Sequence, residues 1–163
     1  MEKEAESAYR KALNILERRD YTQAELQNKL KDKGFTSETI AAVVERLKDY
    51  GLINDRRFAE QYLRYHYLEK SKRVLSMKLR QKGIHPEIFE SVYEELKEEL
   101  DGEPEQEALR QAVKAALRKA ERKGCLVNEL SGDERNRIVA SLYRKGFSVA
   151  KIQTELNKAV ELF

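Results

Sequence analysis

Tryptophan is absent from this 163-residue chain, cysteine occurs once, proline twice and glycine seven times. Strand-rich folds need frequent turns and β-branched runs, and a chain poor in both excludes a β-sandwich or barrel. The single Cys125 has no partner for an internal disulfide, and no Cys/His cluster has metal-ligand spacing. No run approaches the roughly 18 apolar residues of a membrane span. The first six residues, Met1-Glu2-Lys3-Glu4-Ala5-Glu6, are acidic where a secretion leader would be basic and then apolar. The expectation is a cytoplasmic protein without metal, cofactor or membrane contact.

Charge is abundant. Asp, Glu, Lys and Arg make up 37% of the chain, against roughly 25% in an average soluble domain. Ala, Glu, Leu, Lys and Arg together supply 89 of the 163 residues, a composition that signals long helices. The length suits one domain or two. The net charge of +3 hides a pattern. Residues 1–53 balance at 10 basic and 10 acidic side chains, and residues 54–86 carry 9 and 3. Residues 87–107 reverse to 1 and 10, and residues 108–163 return to 12 and 6. An acidic stretch between two basic ones makes the surface electrically striped, and stripes steer association with charged partners.

One motif recurs three times. Leu26-x3-Leu30-x2-Lys33-Gly34-Phe35 matches Leu75-x3-Leu79-x2-Lys82-Gly83-Ile84, and both match Ile138-x3-Leu142-x2-Lys145-Gly146-Phe147. Six residues past each glycine come Ile40, Phe89 and Ile152; ten past come Val44, Tyr93 and Leu156. An i, i+4 apolar pair lies on one helix face. Lys in the last turn complements the helix dipole, and Gly takes the left-handed position that ends the helix. Thr36, His85 and Ser148 then stand where a second helix needs its N-cap, with Pro86 suited to the first helical turn. Thr22-x-x-Glu25 and Ser131-x-x-Glu134 form capping boxes, with Ser71 as the cap of the middle copy.

A further amphipathic stretch precedes each pair. It spans about 6–19 with Ala8, Ala12, Ile15 and Leu16 inward. In the middle copy it spans about 55–70, capped by Asn54 or Asp55, with Phe58, Ala59, Tyr62, Leu63 and His66 inward. In the last it spans about 104–123, opened by Pro104, with Leu109, Ala112, Val113, Ala116 and Leu117 inward. A longer loop follows, from Gly124 to Gly132. The expected fold is all-α, about nine helices arranged as three tandem three-helix, helix-turn-helix-like repeats over 1–53, 54–101 and 102–163. Stacked, these would make an elongated, slightly curved rod with a shallow groove.

Catalysis is not expected. His66 falls at a core edge and His85 at a cap, and no nucleophile elbow, phosphate loop or zinc spacing is present. Cys125 reads as a structural thiol, and Glu94-Glu95 with Glu98-Glu99 read as a solvated helix face. The basic middle is more informative. Arg57 and Arg64 are seven apart and share a face opposite Phe58, Tyr62 and Tyr65. Arg73 and Arg80 repeat the spacing opposite Leu75 and Leu79, with Lys72, Lys78 and Lys82 beside them. Arg57, Arg64, Lys72, Arg73 and Arg80 are the candidate contacts for nucleic acid or an acidic protein groove. Tyr65 and Tyr67, clustered near them, read as packing residues, with base stacking or a protein anchor as the alternative.

The repeat and its linkers resemble the RecX family, recombination regulators that bind and restrain the RecA recombinase. The resemblance runs through Ala12-Leu13, Arg19 and the Gln23-to-Phe35 stretch. Its most specific piece is Tyr50-Gly51-Leu52-Ile53-Asn54-Asp55-Arg56-Arg57-Phe58-Ala59, which is similar to the family's Gly-Tyr-Leu-Asp-Asp-x-Arg-Phe-Ala signature. Arg80-Gln81-Lys82-Gly83-Ile84 resembles the family's Arg-Gln-Lys-Gly-Ile turn, and Leu142-Tyr143-Arg144-Lys145-Gly146-Phe147 is the match in the third unit. Leu52-Ile53-Asn54 departs from Tyr-Leu-Asp, Ser71 stands where Gly is frequent and Leu75 where Ile is, all with the physical role kept. The resemblance implies a non-enzymatic protein that binds the RecA–single-stranded-DNA filament, lowers its ATPase, strand-exchange and coprotease activities, and acts in recombinational repair and the SOS response; a monomer is the expected state. DNA, single- or double-stranded, is a further candidate partner, and a stand-alone nucleic-acid-binding protein is the alternative reading.

Overall fold

The computed structural model describes residues 2–162, among which the regular structure is helical throughout. The order is α1 (Glu2–Leu16), α2 (Gln23–Asp32), α3 (Ser37–Asp49), α4 (Asp55–His66), α5 (Lys72–Gln81), α6 (Pro86–Leu100), α7 (Pro104–Arg122), a 3₁₀ turn (Val127–Glu129), α8 (Gly132–Arg144) and α9 (Val149–Glu161). The described residues thus form nine α-helices, the all-α arrangement that the periodicity predicts.

Local chemistry fixes the starts. Thr22 Oγ1 accepts from the Glu25 amide at 3.1 Å while Glu25 accepts from the Thr22 amide at 3.1 Å, a complete capping box. Ser131 and Glu134 form the second box at 3.2 and 3.0 Å. Thr36, Ser71 and Ser148 each accept from the amide three residues on. Asn54, rather than Asp55, caps α4 through the Arg57 amide at 3.0 Å. His85 Nδ1 accepts from the Glu87 amide at the head of α6.

The three recurring turns share one geometry. Gly34, Gly83 and Gly146 have φ of 90°, 86° and 102°. The amides of Phe35, Ile84 and Phe147 each reach back to the carbonyl five residues earlier, at 3.3, 3.0 and 3.4 Å. Every apolar position of the repeated motif is buried except Phe35, which is half-buried against its cluster.

Three boundaries differ from the sequence reading. α1 starts near the beginning of the chain and ends at Leu16, where the Arg18 amide turns back to the Ile15 carbonyl. α4 stops at His66, because Ser71 must leave helical geometry to cap α5 at Lys72, and Tyr67–Glu69 fill the interval as a turn. The 124–132 loop contains the short 3₁₀ turn, which buries Val127.

The chain divides into two compact units, one of residues 1–62 with 78–93 and the other of 63–77 with 94–163. In the first, α1, α2 and α3 pack on one another around Ala8, Ala12, Leu26, Leu30, Val43, Val44 and Leu47. In the second, α7, α8 and α9 repeat that arrangement around Leu109, Val113, Leu117, Leu142, Phe147, Ile152 and Leu156. Burial of such side chains contributes about 1.5–3 kcal/mol each before entropy is counted.

Each unit also holds one recurring glycine against the cap of a motif helix. In the first, a Cβ added to Gly83 would overlap the Ala24 methyl near the start of α2. Beside it Thr22 Oγ1 donates to the Lys82 carbonyl, and Lys82 Nζ reaches Glu25 at 3.1 Å. In the second, a Cβ on Gly146 would overlap Ser71 Oγ and Val74 at the start of α5. Nothing crowds Gly34. Alanine at Gly34 therefore meets only the left-handed penalty of about 1–2 kcal/mol. Alanine at Gly83 or Gly146 adds an overlap of about 1–3 kcal/mol. In urea unfolding, Gly83→Ala and Gly146→Ala should lower stability measurably more than Gly34→Ala. Equal losses at all three would show that the docked turns contribute nothing.

Candidate partner-binding surface

The five cations singled out from the sequence divide between the units. Arg57 and Arg80 belong to the first, Arg64, Lys72 and Arg73 to the second. Arg57, Arg64, Arg73 and Arg80 are exposed and Lys72 is half-buried, while Leu75 and Leu79 on the opposite face are buried. Helical periodicity accounts for this, since residues seven apart return to one face.

Their surroundings are unequal. The Arg57 guanidinium donates to the Gly51 carbonyl at 3.1 Å, closing the α3–α4 corner over the left-handed Gly51. Arg64 pairs with Glu99 at 2.7 Å, both side chains more than half exposed. The Lys72 amide donates to Glu105 at 3.3 Å as α5 begins. Arg73 and Arg80 have no carboxylate partner among the described residues. Lys82, placed beside them by the sequence, is instead drawn to Glu25.

That pairing shows in the acid. Burial pushes the Glu25 carboxyl up, but the Thr22 amide and the Lys82 and Arg19 charges outweigh it and hold the group below its ordinary range.

The tyrosines also sort differently from the sequence reading. Phe58 and Tyr62 are half-buried and stack at 6.4 Å. Tyr65, expected on their inward side, is 82% exposed and stands edge-on to His66 at 5.5 Å. It lies three residues beyond Tyr62 near the end of α4, where the chain leaves the helix. Tyr67 is half-buried and lines a cavity of about 370 Å³ with the 100–104 turn and the start of α7. His66 Nδ1 meets Glu69 at 2.8 Å.

Within the second unit the carboxylates of the acidic stretch have local cations. Lys97 lies 3.6 Å from Glu94 and 3.2 Å from Glu103, and its hydrogen bond to the Glu103 carboxylate, with the charges of both acids, raises the Lys97 pKa. Lys151 reaches Glu105 at 3.3 Å, and Arg110 reaches Glu107 at 2.7 Å and the buried Glu155 at 3.7 Å. Among the described residues no group of three His, Cys, Asp or Glu side chains could hold a metal, and no helix is long and apolar enough to cross a membrane.

Similarity to known proteins is strong over the first two helical triplets. Residues 8–47 match the family model for RecX, first three-helix domain, and residues 54–92 match RecX, second three-helix domain. The crystal structure of RecX from Lactobacillus salivarius matches over 100% of both chains with a TM-score of 0.79 and 27% identity. The chain belongs to the RecX family. Among RecX relatives, the regulatory protein RecX of Mycobacterium sp. (strain KMS) is 41% identical over 88 residues, 53% of this chain and 48% of the relative. That of Clostridium perfringens (strain 13 / Type A) is 35% identical over 77 residues, 47% of this chain and 36% of the relative. The match thus spans half or less of these relatives' length.

Sequence reasoning missed a different feature of this RecX chain. Residues 1–53 balance in charge, yet the structure gathers Lys11, Arg18, Lys29 and Lys33 around one groove. The available signal was spacing within α1, since Lys3, Arg10 and Lys11 recur on one face, with Arg18 in the turn that follows.

Two outcomes follow from these environments. Arg57→Ala, which removes the bond to Gly51, should cost about 1 kcal/mol in thermal or urea unfolding. Arg73→Ala and Arg80→Ala should stay within about 0.5 kcal/mol of the parent. Cys125 Sγ donates to Glu134 at 3.0 Å, and that carboxylate, with slight burial, raises the thiol pKa above its ordinary value of 9.0. Glu134→Gln keeps a capping-box residue but removes the charge, so alkylation of Cys125 at pH 8 should run several-fold faster. An unchanged rate would mean that the carboxylate does not control the thiol.

Proposed function

We propose that the chain is a non-enzymatic regulator that binds the RecA–single-stranded-DNA filament and lowers its recombinase, ATPase and coprotease activities, modulating recombinational repair and the SOS response. Membership of a family whose relatives are named regulatory proteins carries this reading. It places the protein in the cytoplasm as a monomer without cofactor. It treats residues 1–53, 54–101 and 102–163 as three repeats, supported by the common turn at Gly34, Gly83 and Gly146. The contact set on this reading is Arg57, Arg64, Lys72, Arg73 and Arg80. Arg73 and Arg80 are the most available of the five, because no carboxylate among the described residues neutralises them. An assembled filament offers both acidic protein and phosphate, either of which suits exposed guanidinium groups.

The second reading, a stand-alone nucleic-acid-binding protein that competes for DNA, rests on the same exposed cations. The two separate in one titration. RecA ATPase on single-stranded DNA is followed as the chain is added, with binding to free DNA measured at the same salt. Filament regulation predicts half-inhibition well below one molecule per recombinase. Arg73→Ala/Arg80→Ala should then raise the half-inhibiting concentration about tenfold, the scale of two lost charge-assisted contacts. Inhibition only once the DNA is saturated would favour competition, and no inhibition would reject both.

A further inference from the structure

The first unit carries a cationic track that the net charge of residues 1–53 conceals. A groove of about 480 Å³ opens between α1 and α2, lined by Lys11, Arg18, Lys29 and Lys33, with Asp32 as its one carboxylate. A second groove of about 410 Å³ continues along α1 and shares Lys11 and Asn14 with the first. It adds Lys3, Arg10 and Glu6, and Glu6 is held by Arg46 at 3.5 Å. Lys3, Arg10, Lys11, Arg18, Lys29 and Lys33 are all exposed, and none has a carboxylate partner among the described residues.

The floor of the larger groove is fixed. Tyr21 is buried and lies beneath the Arg19 guanidinium at 3.7 Å, with Lys29 Nζ at 5.6 Å from the same ring. Arg19 is further held by the Asp20 carbonyl and by Glu25. Lys29 and Lys33 are therefore presented from a rigid edge, one turn apart. From Lys3 to the end of α1 at Leu16 the track runs about 20 Å, at 1.5 Å per residue, and Arg18 stands in the turn that follows.

We infer that this α1–α2 track binds the phosphate backbone of single-stranded nucleic acid. Six cations without a carboxylate partner among the described residues, four from α1 and its following turn and two from the end of α2, ask for a polyanion with evenly repeated charge, which a nucleic-acid strand supplies. The track is concave, and a single strand lies along such a groove, whereas duplex readers push a convex helix into the DNA. The groove presents Lys and Arg without an exposed aromatic, so the contact is to phosphate and independent of base. The inference uses the filament reading only for the source of the strand.

The test uses the whole chain and a fluorescein-labelled oligo(dT), with anisotropy followed across a salt series and no recombinase present. Each single-strand phosphate contact contributes a slope of about 0.7 in log affinity against log salt. Lys11→Gln/Arg18→Gln/Lys29→Gln/Lys33→Gln should therefore flatten the slope by about 2–3 and weaken binding at least tenfold. Lys11→Gln/Lys33→Gln, which leaves both cations at Tyr21 in place, should give about half the slope change and keeps the test independent of any effect on the ring. Circular dichroism should match the parent for both variants. Absent binding by the parent, an unchanged slope in the variants, or equal displacement of the oligonucleotide by poly-glutamate would each overturn the site. A duplex that binds tighter than the single strand, and loses affinity in the same variants, would overturn its assignment to a single strand. Because no filament is present, failure here leaves the ATPase result to decide the filament reading on its own.

Discussion

A left-handed glycine after Lys ends a helix at three places, and the arrangement of the molecule depends on what that glycine permits next. The backbone reverses, the following apolar residue returns to the helix it has just left, and the next cap falls two residues on. At Gly83 and Gly146 the missing side chain does a second job, since backbone there lies against the start of another motif helix. Thr22 and Ser71, the caps at those contacts, are fully buried. A buried hydroxyl without a partner would cost about 1–3 kcal/mol, yet both are satisfied by their own helix amides, and Thr22 also by the Lys82 carbonyl. Helix caps, usually features of exposed ends, are here part of the interior.

Charge is arranged with similar economy. The segment from 87 to 107 reads as a strong acid, but much of it is neutralised where it stands, by Arg64, Lys97, Arg110 and Lys151. Exposed pairs of this kind add little to stability, about 0–1 kcal/mol each. Their larger consequence is to cancel the field of the acidic stretch close to its own surface, so that it repels a polyanion less than its formal charge implies. The cations left without a carboxylate partner among the described residues are then the ones whose field reaches solvent. Arg73 and Arg80 are two of them, and the α1–α2 track holds six more.

The features legible in the sequence are those decided within about ten residues. Capping boxes, turn glycines and buried heptad partners are local, and Thr22, Ser131, Gly34 and Leu79 stand where periodicity put them. What escaped depends on distant neighbours. Lys82 belongs by spacing to the basic face of α5, but Glu25, 57 residues earlier, draws it into a joint. Tyr65 follows Phe58 and Tyr62 by helical spacing and nevertheless faces solvent, while Leu63 and His66 on either side of it turn inward. The first segment looked neutral because summed charge discards position. Its carboxylates Glu6 and Glu25 are engaged by Arg46, Arg19 and Lys82, while Lys11, Arg18, Lys29 and Lys33 have no ion-pair partner among the described residues and share their groove with Asp32 alone of the acids.

The same reasoning separates residues that share a type. Arg57 and Arg80 are both exposed arginines of the first unit, but Arg57 anchors the carbonyl of a left-handed glycine and Arg80 holds nothing among the described residues. Loss of binding on changing Arg57 would therefore mix a shifted α3–α4 corner with a missing contact. Arg64 carries a different ambiguity, since removing it strips Glu99 of its partner and adds an uncompensated negative charge to the surface. That charge alone repels a polyanion, so weaker binding after Arg64→Ala does not by itself place Arg64 at the contact. Only cations without a structural bond or an ion-pair partner report on binding directly, and of the five candidate contacts those are, among the described residues, Arg73 and Arg80.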